Sequence, residues 1–310
     1  MEKNIFYDSV PCMDKKTVVA LGVFDGVHSG HRTVINEAVS FKEKGFLPVA
    51  FTFKTPSVFK KGEKLQAILS DSIKAERLLR LGCEAVISPD FNELKNLSPE
   101  DFVKEILVEK LKAGVVVCGD DFRFGKNAQG NCETLKELGK KLDFEVKVVE
   151  PFMVSGEVLS STMLRELIKN GEISKANRLL CENYELELEV VYGAQIGRTW
   201  NFPTINQIFP EGQVVVKFGV YCSRVLIDGV WYNGVTNVGV KPTVNEKSEP
   251  LAETFIMDYT GDLYGKKLRL SLYEFIREEK KFQSLDELKE EIAKNKKYAE
   301  KYFENIKQKG

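Results

Sequence analysis

Histidine is nearly absent from this sequence: 2 of 310 residues, His28 and His31, three positions apart. Six cysteines (Cys12, Cys83, Cys118, Cys132, Cys181, Cys222) form no CxxC pair, so the chain offers no ligand set of the kind zinc needs. Several of them sit in apolar runs such as VVVCG and read as reduced core residues, which argues against a disulfide-built scaffold. No segment reaches the roughly 18 apolar residues of a membrane helix. MEKNIFYDSV also lacks the basic-then-apolar pattern of a secretory leader, so a cytoplasmic location without membrane contact is expected. Excess charge is missing too: 45 basic against 46 acidic residues leave a net charge of -1 and no field for a polyanion. With no basic aromatic stripe either, nucleic acid is not an expected partner, and any phosphate chemistry has to be local.

What is present is an ordinary globular composition, 43% hydrophobic and 29% charged. The length exceeds what one core usually organises, so two domains are expected. In the first half, short apolar runs alternate with amphipathic stretches, the pattern of βα units feeding a parallel sheet. TVVALG, FLPVAFTF, CEAVIS, GVVVCG and FEVKVVEPF are the strand candidates. Helices are expected from about Gly30 to Lys44, over SIKAERLLRL behind Ser70 or Asp71, and behind Ser98 with Pro99 at the first helical position. The stretch from Ser160 to Leu180 reads as helical with a break at Gly171. From Tyr184 the period becomes strand-like, which puts a boundary near Asn183 and domains at 1–182 and 183–310. ELELEVVY, VVVKFGVYCSRVLI, WYNGVTNVG, AETFIMDY and KLRLSLYEFI then predict a small closed antiparallel barrel. A charged amphipathic helix ends the chain, with Ser284 and Glu287 in a capping-box pattern.

Both histidines lie in ALGVFDGVHSGH, a glycine-punctuated turn that leaves a strand and opens a helix. Such a turn brings backbone N–H groups and a helix N-terminus close to phosphate oxygens, and Gly22, Phe24, Gly26 and Gly30 are placed for that contact. His28 and His31 add donors where charge develops on a phosphoryl group in transit. A bare HxxH would fit ordinary turn residues equally well. The full string resembles the HxGH signature of adenylyl-transferring nucleotidyltransferases, in the form found in the flavin-nucleotide synthetase branch. That resemblance implies a Rossmann-like domain that adenylylates FMN to FAD with ATP. GDDFRFGKNAQGN is similar to the branch's substrate loop, which implies flavin contacts for Asp121, Phe122, Phe124 and Asn127. SSTMLRELIKNGEISKANRLL is similar to its SSTxxR segment, where Ser161 and Thr162 can cap a helix while Arg165 reaches anionic oxygen. The family commonly carries FTFxPHP after the second strand; this chain reads FTFKTPSVF, with Thr55 where a phosphate-contacting histidine is often found.

In the second half, GAQIGRTWNFPTIN has glycines (Gly193, Gly197) that permit close backbone approach, then Arg198, then a Pro-fixed turn presenting Thr204 and Asn206. Two neutral oxygen ligands at alternate positions suit magnesium, although the string by itself also fits plain turn residues. The pattern GxxxGRxxxFPTxN is similar to that of the riboflavin kinase family, with Ile205 in place of the usual alanine. GVYCSRV, NGVTNVGVKPTV and AETFIMDYTGDLYGKKL follow in the family's order. The resemblance implies a flavokinase barrel with a terminal helix, Glu253 as general base for the ribityl 5′-hydroxyl, and Arg277 with the helix beyond it closing over the flavin. It also implies that ATP is co-substrate and Mg2+ the metal at both sites. The expected partners are riboflavin, FMN, FAD and ATP, with no obligate protein partner. The rivals are an adenylyltransferase acting on another phosphorylated alcohol and a flavin-binding regulator.

Overall fold

The computed structural model describes residues 4–6, 9–54, 59–60, 63–64, 66–192, 204–241 and 249–308. It divides into two compact units, Met1–Ser161 and Thr162–Gly310.

The first unit is built on a six-stranded parallel sheet: β1 (Asn4–Phe6), β2 (Thr17–Leu21), β3 (Leu47–Phe51), β4 (Ala85–Ile87), β5 (Ala113–Gly119) and β6 (Glu145–Val149). The strands lie in the order β1-β4-β3-β2-β5-β6. All five residues of β2 are buried, as expected of a central parallel strand covered on both faces. Each large apolar side chain there contributes about 1.5–3 kcal/mol by leaving water. Helices α1 (Ser29–Ser40) and α2 (Asp71–Arg80) begin at side-chain caps, His28 and Ser70 respectively. The helix behind Ser98 starts α-helical at Pro99–Asp101 but continues as a π-helical segment, Phe102–Lys110. Phe102, Val103, Ile106, Leu107 and Leu111 face the core, and the wider turn is seen in Leu111 N donating to Ile106 O, five residues back. A further helix, α4 (Cys132–Leu142), follows a loop from the end of β5; the 99–110 helix is α3. Elements that the sequence did not announce include β1 at the sheet edge, the short helix Phe91–Leu94 and the hairpins Phe59–Lys60/Glu63–Lys64 and Met153–Val154/Glu157–Val158. In the second unit, Thr204 and Asn206, expected on a turn, lie instead on the strand Thr204–Ile208, where pairing to neighbouring strands overrides the turn preference set by Pro203.

Helix α5 (Ser161–Lys169) starts at the last residue of the first unit and runs on in the second, and it is separated from α6 (Ile173–Leu180) at Gly171, whose φ of 78° is left-handed. Asn177 on α6 fastens that helix to the barrel, donating to Leu272 O (2.9 Å) and accepting from Tyr184 N (2.7 Å). The barrel strands are β7 (Tyr184–Val191), β8 (Thr204–Ile208), β9 (Gly219–Ile227), β10 (Val230–Lys241), β11 (Glu249–Ile256) and β12 (Lys267–Arg277). They close in the order β7-β8-β11-β10-β9-β12, all pairings antiparallel. Inside, the hydroxyls of Ser223, Thr236 and Thr254 bond in a chain across three strands, 2.7 and 2.9 Å. All three are fully buried, so these polar groups are satisfied within the interior. On the outer face the terminal helix α7 (Leu285–Lys307) packs Ala299 and Phe303 onto Cys222 and Met257, flanked by Val235, Phe255 and Tyr273. Ser284 caps α7 by accepting from Glu287 N, while the Glu287 carboxylate reaches back to Gln283 N, one residue further than a standard capping box.

Candidate active sites

The histidine turn leaves the C-terminal end of β2, where ligands bind in open parallel sheets. His28 has extended backbone and caps α1; its Nδ1 accepts from His31 N at 3.3 Å. The two imidazoles stack with centroids 3.6 Å apart and an interplanar angle of 20°, and the Phe24 ring meets His31 edge-on at 5.5 Å. Gly26 takes a φ of 93°, and a Cβ on Gly30 would crowd the His28 ring at 3.2 Å. Phe24 (φ 51°) and Val27 (φ 47°) also adopt left-handed backbone. For residues bearing a Cβ, that conformation costs on the order of 1–3 kcal/mol each and persists only where the surroundings over-determine it.

Burial pushes the His28 imidazole down from 6.5 to about 4. The ring is therefore neutral at pH 7, and because Nδ1 accepts a backbone N–H, its proton sits on Nε2. The same burial has a cost in acid. Between pH 6.5 and about 4 the unfolded chain binds the proton that the folded ring refuses, so stability falls as pH is lowered through that window. The slope from this group approaches about 1.4 kcal/mol per pH unit. Urea unfolding of the wild type followed from pH 7 to 4 is expected to lose stability more steeply than that of His28→Asn; parallel slopes would show that the ring is not held neutral.

Two cavities adjoin at the end of β2. One, of about 560 Å3, is lined by Gly22, His28, Gly30, His31 and Ser161 together with Asp120 and Asp121. The other, of about 720 Å3, is lined by Phe51, Phe53, Phe91, Phe102, Phe122 and Phe124, with Asn127 at its margin. These six rings form one continuous series of contacts, Phe91–Phe53–Phe51–Phe102–Phe124–Phe122, with centroid separations of 5.2 to 5.8 Å. An aromatic wall beside a glycine- and imidazole-lined chamber suits a ligand with a flat ring system and a phosphate. Asp121 belongs to the smaller chamber and Phe124 and Asn127 to the larger, while Phe122 borders both. Ser161 Oγ donates to Asp25 O at 2.8 Å. Thr162 is exposed and Arg165 is buried on α5, and both fall in the second unit.

On the barrel, strand register decides the geometry. Asn206 on β8 lies directly opposite Glu253 on β11, and Glu253 lies directly opposite Asn237 on β10. Directly opposed residues carry their side chains on one face with Cβ atoms about 5 Å apart. Thr204, two residues before Asn206, shares that face. Glu253, Phe255 and Met257 alternate onto the outer face; Phe255 and Met257 join the cluster under α7, whereas Glu253 is exposed at its margin. Arg277, at the end of β12, forms an ion pair with Glu291 (3.0 Å), donates to Asn295 Oδ1 (3.3 Å) and to Glu278 O (2.8 Å), and so ties α7 to the barrel. Among the described residues, no group of three or more His, Cys, Asp or Glu side chains could hold a metal ion. The neutral oxygens of Thr204 and Asn206 beside a carboxylate are a hard donor set that fits magnesium completed by phosphate and water.

Thr55, Gly193, Gly197 and Arg198 lie outside the described residues. Sequence reasoning missed Asp25, although it stood inside the quoted string, and Phe51, Phe53, Phe91, Phe102 and Asn237. Isolated aromatics carry no local mark of a shared wall, and Asn237 stood inside NGVTNVGVKPTV without a role of its own.

Residues 11–163 match the family model for FAD synthetase, and residues 180–303 match that for riboflavin kinase. A bifunctional riboflavin kinase/FMN adenylyltransferase of Bacillus subtilis is 35% identical over 302 residues, covering 94% of each chain. Proteins of the same description from Listeria monocytogenes (32%, 94% of each chain) and Escherichia coli (33%, 92% of each chain) align over nearly the same span. A solved structure described as a macrolide-efflux protein from Streptococcus pneumoniae shares the fold with a TM-score of 0.84 at 26% identity, covering 96% of this chain and 98% of its own. Among the described residues of this chain, no helix is long and apolar enough to cross a membrane. The two sites fall within two matched models, the relatives are covered over more than nine-tenths of their length, and the chain belongs to the family of bifunctional riboflavin kinase/FMN adenylyltransferases.

Proposed function

We infer that the chain performs two successive ATP-dependent transfers, riboflavin to FMN on the barrel and FMN to FAD at the parallel sheet. The carrying observation is that the FAD synthetase match falls on the sheet unit and the riboflavin kinase match on the barrel. We assign adenylyl transfer to residues 1–182 and phosphorylation to 183–310.

In the kinase step, the ribityl 5′-hydroxyl attacks the γ-phosphorus of ATP, the bond to the β-phosphate oxygen breaks and ADP leaves. Glu253 is the general base: an exposed carboxylate on the outer face accepts the hydroxyl proton as the new P–O bond forms. Thr204 and Asn206 would hold Mg2+, which when bound neutralises charge on the phosphates. Gly193, Gly197 and Arg198 are assigned to the ATP phosphates, and Arg277 to flavin closure through its hold on α7. In the adenylyl step, an oxygen of the FMN phosphate attacks the α-phosphorus of ATP, the α–β bridge breaks and pyrophosphate leaves. Gly22, Phe24, Gly26 and Gly30 shape the turn around the triphosphate, and His28 and His31 donate to phosphate oxygens as charge builds. Ser161, Thr162 and Arg165 are assigned to the same phosphates. Asp121, Phe122, Phe124 and Asn127 receive the flavin, whose rings the phenylalanine wall suits. Mg2+ is assigned to this step as well.

All partners in this reading are small molecules, with no nucleic acid, membrane or obligate protein among them. Consumption of ATP and six free cysteines are in keeping with the cytoplasm. Chromatography of reactions with riboflavin, ATP and Mg2+, and separately with FMN, ATP and Mg2+, is expected to give FMN then FAD in the first and FAD in the second. FMN that accumulates without FAD would withdraw the adenylyl assignment and implicate Thr55. No product from folded protein would favour a flavin-binding regulator.

A further inference from the structure

We propose that Asp25 is the positioning residue of the adenylyl-transfer turn, its carboxylate holding residues 24–27 in their left-handed path so that His28 and Gly30 face the phosphates. The proposal rests on the assignment of that turn to adenylyl transfer. Asp25 is 2% exposed, and it lines neither cavity. Its Oδ1 accepts from Ile68 N (2.9 Å) and Leu69 N (3.4 Å), and its Oδ2 also accepts from Ile68 N (3.2 Å). Its carbonyl accepts from Ser161 Oγ. One residue therefore joins the turn to the approach to α2 and to Ser161, the last residue of the same unit, at positions 43 and 136 away in sequence.

Three of the four residues from Phe24 to Val27 have left-handed φ, and only Gly26 accepts it without a steric cost; Val27, β-branched, is the least suited. Such backbone relaxes unless independent bonds fix it. Thr52 Oγ1 donates to Val23 O (2.6 Å) and Arg32 Nε to Val27 O (3.1 Å), which secure the two ends. Between them, in the sequence Phe-Asp-Gly-Val, Asp25 alone carries a polar side chain. A carboxylate suits the task because it accepts charge-assisted bonds from two successive amides.

The test is steady-state conversion of FMN to FAD by full-length Asp25→Ala, Asp25→Asn and His28→Ala, with riboflavin phosphorylation by the same preparations as the control for the barrel and their thermal melting as the measure of folding of the sheet unit. Asp25→Ala is expected to lower kcat about 100-fold, as a displacement of roughly 1 Å at a reacting centre does, with KM for FMN little changed. Asp25→Asn, which keeps one acceptor oxygen, should fall between alanine and wild type. Wild-type kcat in either Asp25 variant overturns the proposal, as does an asparagine variant no faster than alanine. If Asp25→Ala loses kinase activity as well, Asp25→Asn decides: reduced kcat at unchanged KM upholds the proposal. A fully active His28→Ala instead removes the assignment of the turn, and the role of Asp25 with it.

Discussion

Glu253→Ala is expected to lower FMN formation from riboflavin by about 100- to 10,000-fold, the usual range for removing a general base. FAD formation from supplied FMN should be unchanged. The size follows from the position of the residue. Glu253 stands opposite Asn206, on the strand face that also carries Thr204, so proton acceptance and the proposed metal ligands converge on the same phosphoryl group. Because the side chain is exposed, truncation leaves no cavity and little loss of stability is expected. Glu253→Gln keeps the shape and removes the basicity, so it should be nearly as slow as alanine while melting like the wild type. A glutamine variant at wild-type rate would show that the residue positions substrate and accepts no proton. Loss of both activities in folded Glu253→Ala would contradict the division of labour between the two units.

The complementary result is expected at His28. His28→Ala should reduce FAD formation by about 100- to 1,000-fold, the range for removing one preorganised donor at a developing oxyanion. FMN formation should persist. Here the fold is also at stake, because His28 caps α1 and is 3% exposed. Losing a cap costs about 1 kcal/mol, and an emptied buried site adds to that. His28→Asn separates the two effects: asparagine caps a helix well but does not place a donor where Nε2 stood. It should restore the melting temperature while the rate stays low. Recovery of both would make His28 a structural residue and shift the transfer chemistry to His31.

Much of the architecture was legible because its causes are local. Ser70, Ser98 and Ser284 announce helix starts since their hydroxyls satisfy N–H groups two or three residues on, and each does so in the structure. The change from helical to alternating periodicity marks where the barrel strands begin, with Tyr184 the first residue of β7. The strings around His28, Thr204 and Glu253, to which the chemistry is assigned, were legible because a turn or a strand presents residues close in sequence together. The helix over Phe102–Lys110 was legible from its apolar spacing, but its π-type hydrogen-bond spacing was not, since the same residues face the core in either form.

The sequence by itself determined the two-unit order of sheet then barrel, the helix caps, and the residue types available for phosphate chemistry. Tertiary structure alone decided that Asn206 faces Glu253 across a strand pair, since a one-residue slip in register would put one of them inside the barrel. It decided that His28 is neutral, because desolvation depends on how much protein surrounds the ring and not on its neighbours in sequence. It gathered six phenylalanines from four stretches of chain into one wall, and it gave Asp25 its partners 43 residues away. Propensity and periodicity act over a turn or a strand, whereas register, burial and long-range hydrogen bonds exist only once distant segments have packed.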